Sequence, residues 1–158
     1  MVGPEPARDL SGDAGAPMRE FERSLPMALL RAREAVMDRF RPVLRAHGVT
    51  EQQWRVLRAL AATGPIDAGG LAGACRLLPP SLTRILRDLL ARGLIARNTV
   101  ARDQRVSEIS ITPRGRDLIA KVGPHSERQY GEIAELLGPG DLERLYDLLE
   151  RLERRLTA

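Results

Sequence analysis

Apolar residues recur at three- and four-residue steps through most of this chain, and prolines and glycines break the recurrence into segments. Leu25, Leu29, Ala32, Val36, Phe40 and Val43 or Leu44 form one stripe. It predicts a helix from about Leu25 to His47 that buries that line. Ser24 stands where it can cap this helix, Pro26 is tolerated in a first turn, Pro42 should kink it near its end, and Gly48 closes it. Thr50 and Gln53 have the spacing of a capping box, which starts a second helix running to about Thr63 with Trp54, Leu57, Leu60 and Ala61 inward. Gly64-Pro65 stops it. Ile66 can add one residue to a small sheet, and Asp67 caps a short helix over 68–75.

The stretch from Leu71 to Thr112 is the centre of the pattern. Pro79 and Pro80 suit the first turn of a helix, because the N–H groups there lack partners anyway. Leu82, Ile85, Leu86, Leu89 and Leu90 then make one apolar face, and Gly93 ends the helix as a C′ glycine. Ser81, Thr83, Arg84 and Arg87 fall mostly off that face, near the helix start. Ile95 to Thr99 and Val106 to Ile111 alternate as two short strands, with Arg102, Asp103 and Arg105 at the ribbon tip. Thr112-Pro113 repeats the cap-then-proline signal. A helix should follow to about Leu137, interrupted or bent around Gly123-Pro124. After the turn Gly138-Pro139-Gly140, Asp141 caps a last helix striped by Leu142, Leu145, Leu148, Leu149, Leu152 and Leu156.

The fold class these elements predict is mainly α: a winged helix-turn-helix with a small β-ribbon wing. Residues 1–18 hold three prolines and three glycines and read as a disordered tail. Residues 19–158 read as a single domain, with 50–112 as the winged DNA-binding part. The helices of 19–47 and 113–158 project beyond so small a unit, and their leucine stripes suit a two-fold homodimer.

Charge sharpens this reading. Between Arg76 and Arg105 seven arginines face two acids, Asp88 and Asp103, a local net charge of +5 against +4 for all 158 residues. Lys121 is the one lysine, so a sequence pI near 10.1 can reflect a base-composition bias as easily as a nucleic-acid role. The distribution is the better guide. Residues 134–158 carry six acids and four arginines, so positive charge concentrates at the helix-turn-helix and ribbon. Polar residues at the start of a recognition helix can read base edges and phosphates, and arginine suits a narrow minor groove.

Other classes fit poorly. Two histidines, His47 and His125, and one cysteine, Cys75, lie far apart with no metal-ligand spacing. There is no phosphate-binding loop, dinucleotide fingerprint or nucleophile elbow, so no enzyme, metal or cofactor is expected. No run of about 18 apolar residues occurs and no secretory pattern opens the chain, which with one cysteine fits a reducing cytoplasm and no membrane partner.

Several short blocks carry a resemblance over about residues 20–156. They are Ser24-Leu25, Ala28 to Glu34 (ALLRARE), Phe40-Arg41-Pro42, Thr50 to Arg55 (TEQQWR), Pro80 to Thr83 (PSLT) and Asp103-Gln104-Arg105. On these the chain resembles the MarR family of transcriptional regulators, and within it is similar to regulators of homoprotocatechuate (hydroxyphenylacetate) degradation operons. The resemblance implies a winged-helix homodimer that binds palindromic operator DNA, represses an adjacent or divergent operon, and is released by a small aromatic carboxylate. It implies that Ser81, Thr83 and Arg84 meet the major groove, with Arg87 beside them. It implies that Arg105 approaches the minor groove or a phosphate while Asp103 orients it, and that Arg102 is a further tip residue. The implied effector pocket lies where the dimer helices meet the winged unit. Trp54 can stack an aromatic ring and Arg55 can hold a carboxylate, with Ser24, Arg33, Met37 and His47 to complete the site. Packing alone for Trp54, an ion pair with Glu51 for Arg55, and a plain helix-end role for His47 remain open beside this. Thiol-sensing relatives use a cysteine near the start of the first helix, where this chain has none. A thiol sensor built on Cys75 and a helical interaction module without DNA binding are the alternative functions.

Overall fold

The computed structural model describes residues 17–100 and 103–158, and side chains for 17–99 and 107–158. Arg102 lies outside the described residues, and so do the side chains of Asp103 and Arg105. The chain divides into two compact units, Met1–Val36 and Met37–Ala158.

In the first unit a 3-10 turn over Phe21–Arg23 precedes helix α1, Leu25–Ala46. The Ser24 hydroxyl donates to the Phe21 carbonyl at 2.9 Å, and Arg31 Nη2 donates to the Glu22 carbonyl at 2.7 Å. Together these fold the segment before α1 back along the first turns of that helix. The predicted stripe is split. Leu25, Leu29 and Val36 are exposed, whereas Phe40 and Leu44, which fall in the second unit, are buried.

The second unit is built around the predicted helix-turn-helix. Helix α2 spans Glu51–Thr63 and begins with a complete capping box: Gln53 N–H donates to Thr50 Oγ1 at 3.1 Å, and Thr50 N–H to Gln53 Oε1 at 3.0 Å. Strand β1 is Ile66–Asp67, and Asp67 then accepts from the Gly70 N–H at 2.6 Å to start helix α3, Ala68–Cys75. Helix α4 is Pro79–Ala91. Its N-cap is Leu78, which offers no side-chain acceptor. None is needed for the first two positions, because Pro79 and Pro80 have no N–H to satisfy. At the other end Leu94 N–H donates to the Leu89 carbonyl and Gly93 N–H to that of Leu90, both at 3.0 Å, with Gly93 at φ 67°. This is a Schellman motif, and Leu89 and Leu94 are both buried beside it.

Strands β2, Ile95–Val100, and β3, Asp103–Ile111, complete a three-stranded antiparallel sheet of order β1-β3-β2. Ile66 pairs with Ile109 and Ile95 with Ile111. The ribbon is longer than its hydrophobic alternation suggests. Strand β3 begins at Asp103, and the pairing shifts from Thr99↔Ser107 to Val100↔Asp103, so Asp103 and Arg105 belong to the tip end of β3. Backbone pairing, not side-chain pattern, extends the wing. The core gathers Val56, Leu57 and Leu60 of α2, Leu71 and Cys75 of α3, Leu82, Ile85, Leu86 and Leu89 of α4, and Ile95, Ile109 and Ile111 of the sheet. Burying each large aliphatic side chain contributes about 1.5–3 kcal/mol.

Helix α5, Pro113–Leu137, is capped by Thr112, whose Oγ1 accepts from Gly115 N–H at 3.1 Å while donating to the Gly93 carbonyl at 2.7 Å. The helix is not interrupted at Gly123-Pro124. Ala120, whose carbonyl loses its partner to Pro124, lies on the exposed face where water can replace the bond. Pro42, where a kink was expected, lies inside α1 one turn before its end. Helix α6, Asp141–Thr157, is capped by Gly140 rather than by Asp141. Asp141 is already helical, and its carboxylate accepts from Arg144 Nη1 at 3.1 Å. None of the α6 residues is buried, and Leu145, Leu148, Leu149 and Leu156 are exposed.

Candidate functional site

The face of α4 opposite its buried leucines presents the residues that the sequence singles out. Thr83, Arg84 and Arg87 are exposed and Ser81 is half-buried. Thr83 Oγ1 donates to the Pro79 carbonyl at 3.0 Å, one turn earlier, leaving its lone pairs outward. The arginines Arg76, Arg84, Arg87 and Arg92, on and beside α4, divide into two groups. Arg76 pairs with Glu153 at 2.6 Å and Arg92 with Asp88 at 3.3 Å. Among the described residues Arg84 and Arg87 have no ion pair or hydrogen bond. They therefore keep their full donor forks for an outside acceptor, and guanidinium forks match guanine edges and phosphates. Exposed Arg97 adds charge on β2.

The turn before α4 is tight. Arg76 ends α3 at φ 50°, ψ 48°, a left-handed position that favours glycine. Leu77 N–H donates to the Ala72 carbonyl at 3.0 Å and fixes the reversal that leads into α4. Leu78, 74% exposed, follows directly and borders the polar face.

A second constellation sits on α2. Trp54 is half-buried, and the Arg58 guanidinium lies over its ring, 5.8 Å from the centroid. Arg55 is engaged inside the fold: Nη1 donates to the Cys75 carbonyl at 3.1 Å, and Nη2 lies 3.7 Å from Glu51 Oε1. Consecutive residues on a helix point about 100° apart, so Trp54 and Arg55 diverge, whereas Trp54 and Arg58, four apart, share a face. Arg58 was not singled out from the sequence. Its signal was the i, i+4 spacing from the sole tryptophan, overshadowed by the adjacent Arg55.

The other expected pocket residues are distributed as follows. Ser24 donates to Phe21, and Arg33 Nη1 binds Glu34 at 2.6 Å, both within the first unit. Met37 is half-buried. His47 Nδ1 is 2.8 Å from the Val43 carbonyl, and its ring centroid is 5.7 Å from that of His125. Elsewhere on α1 and α5 the Phe40 and Tyr130 rings meet at 5.0 Å and 55°. Cys75 is 1% exposed. Burial pushes its thiol above the ordinary range and the nearby Arg55 charge offsets that only in part, which disfavours the thiolate that redox sensing needs. Among the described residues there is no cluster of metal-ligating side chains, and no helix is long and apolar enough to cross a membrane.

Residues 47–106 match the sequence pattern that defines the MarR family. The homoprotocatechuate degradative operon repressor of Escherichia coli is 40% identical over 127 residues, covering 80% of this chain and 86% of that protein. The crystal structure of NadR in complex with 4-hydroxyphenylacetate superposes with a TM-score of 0.74 at 38% identity, over 87% of this chain and 97% of NadR. The transcriptional repressor CouR bound to a 23-mer DNA duplex superposes with a TM-score of 0.78 at 26% identity, over 87% of this chain and 99% of CouR.

Proposed function

The chain belongs to the MarR family of transcriptional regulators, and from that premise we propose that it is a homodimeric operator-binding repressor released by a small aromatic carboxylate. The observation that carries the reading is the α4 face, where Ser81, Thr83, Arg84 and Arg87 stand outward and the two arginines have no partner among the described residues. Inserted into a major groove, that face reads base edges while the basic wing, with Arg102, Asp103 and Arg105, follows the adjacent backbone or minor groove. The exposed leucines of α6 supply the apolar surface through which two copies bring their recognition helices one helical turn apart on a palindrome. Operator binding places the protein with the DNA in the cytoplasm, and regulation of this kind needs no enzymatic step.

Release works by population shift. The acid binds more tightly to a dimer whose recognition helices are wrongly spaced for the operator, so operator affinity falls by the ratio of the acid's affinities for the two states. Trp54 gives the acid a stacking surface. Arg58 takes the carboxylate, the role sequence reasoning gave to Arg55, while Arg55 holds α2 to the end of α3. Met37 belongs to the proposed surroundings of that pair. The bound 4-hydroxyphenylacetate of NadR motivates the class of acid.

The test is fluorescence anisotropy of a labelled duplex from upstream of the gene, with hydroxyphenylacetates, hydroxycinnamates and indole-acetate as competitors. Saturable release by one acid, lost in Arg58→Ala but kept in a folded Arg55→Gln variant, supports the reading. Release that survives Arg58→Ala and fails in Arg55→Gln returns the carboxylate to Arg55.

A further inference from the structure

A separate cleft of about 350 Å³ opens where the end of α1, the end of α4 and the first turns of α5 meet. Its chemistry comes from His47, Arg92, Arg114, Asp117 and Lys121, with Leu94 and Leu118 between them. Trp54 and Arg58 are not part of its lining, and it has no aromatic carbocycle to stack an aromatic acid. It adjoins the C-terminal end of α4, while the DNA-facing residues Ser81, Thr83 and Arg84 are at the other end of that helix.

The charge of the cleft is unbalanced by construction. Arg114, Asp117 and Lys121 are spaced three and four apart, so one face of α5 carries all three into it. Two cations and one carboxylate come from that face, and Arg92, the C-cap of α4, adds a third cation. Arg92 is held in place: Nη1 donates to Asp88 Oδ2 at 3.3 Å and lies 3.5 Å from Gln53 Oε1. Gln53 is itself fixed by the capping box and donates to Asp88 Oδ2 at 2.8 Å. Arg114 and Lys121 are exposed and, among the described residues, form no ion pair. Even with Asp88 paired to Arg92, three cations gather there against two carboxylates, Asp88 and Asp117, and a counter-anion offsets the excess. The opening turns of a helix as long as α5 add their own positive field.

We propose that this cleft binds a small multivalent anion, a phosphate monoester or a di- or tricarboxylate, through Arg92, Arg114 and Lys121. Arg92 supplies a guanidinium positioned by Asp88 and Gln53. Arg114 and Lys121 close on the anion from α5. Asp117 restricts the site to anions that can be held on the arginine and lysine side of the cleft. The occupied cleft ties the C-terminal end of the recognition helix to the start of α5. Only the effect of that tie on repression rests on the function proposed above. The binding itself does not.

The experiment is calorimetric titration of the full chain with inorganic phosphate, pyrophosphate and citrate, with ionic strength held constant by chloride. Variants Arg114→Gln and Lys121→Gln test the site. Arg128→Gln, an exposed charge further along α5, controls for general screening. Saturable binding of one anion per chain, weakened about tenfold or more in each cleft variant and unchanged in Arg128→Gln, is the expected result. Binding of the phosphates alone identifies a phosphate ligand, and binding of citrate alone a carboxylate ligand. Either supports the site. The proposal falls if no anion gives saturable heat, or if Arg128→Gln weakens binding as much as the cleft variants. It also falls if the cleft variants lose only DNA affinity, which would make the cleft a contact to the duplex backbone.

Discussion

Gly115→Ala tests how the wing is joined to α5. Gly115 is the third residue of α5 and is buried against the Leu94 backbone. A methyl group there would lie 2.2 Å from the Leu94 carbonyl oxygen and 2.7 Å from Ile111 Cγ1. A carbon and an oxygen need more than 3 Å, so about 1 Å of backbone movement is required. That carbonyl also accepts the Thr112 N–H at 3.1 Å, and Thr112 caps α5. Overpacking costs about 1–3 kcal/mol and the strained hydrogen bond about 1 more, against roughly 1 kcal/mol of helix propensity gained by alanine. The net is a loss of about 1–3 kcal/mol, or a melting point about 2–12 °C lower for a chain of this size. Circular-dichroism melting at fixed protein concentration measures it, with Gly73→Ala as reference. Gly73 is also helical, but its added methyl meets nothing within 4 Å, so that variant should be as stable as the parent or slightly more so. Equal melting points for the two variants would refute the reasoning, because helix propensity alone would then explain both.

Other expectations follow from the same structure. Arg84→Ala should weaken operator binding by about 1–3 kcal/mol while leaving the melting point unchanged, read by duplex anisotropy. Asp67→Ala removes the acceptor for Gly70 N–H and should lower stability by about 1 kcal/mol in urea denaturation. Cys75 should resist alkylation in the native protein and react at once in denaturant. Because its folded thiol titrates above the unfolded one, the unfolded state loses its proton first, so stability falls as pH rises past the unfolded thiol's titration, and Cys75→Ala should flatten that slope in alkaline melts. Leu148→Glu on the exposed α6 stripe should shift sedimentation toward monomer and weaken palindrome binding, with the winged unit still folded.

The sequence was most legible where a signal is local. The Thr50 capping box, the Asp67 cap, the double proline at the start of α4 and the Gly93 C′ position are each decided within about one turn, and each holds in the structure. The α4 stripe was equally plain, because a helix buried on one side repeats its apolar residues. What escaped was decided elsewhere in the fold. Gly123-Pro124 was expected to interrupt or bend α5, and the sequence does not say that Ala120, whose carbonyl loses its partner, lies on an exposed face where the helix can continue. Asp141 looked like a cap because Gly140, at φ 77°, can take that position without a side chain. Of the candidate effector residues, Trp54 was visible as the sole tryptophan. Arg55 and Arg58 are told apart by the Cys75 carbonyl and Glu51, which hold the former, and by the Trp54 ring, over which the latter lies. The anion cleft draws on three helices far apart in sequence, so no short motif announces it.

The central claim is that an aromatic acid and operator DNA compete through one dimer. It is tested most directly by titrating the complex of the protein with its upstream duplex, monitoring duplex anisotropy and Trp54 fluorescence together. The account predicts that one aromatic carboxylate changes the tryptophan signal and releases the duplex over the same concentration range. It also predicts that saturating duplex weakens the acid's binding by the same factor. A tryptophan response with no loss of operator affinity would contradict it, because the acid would then bind without favouring either state.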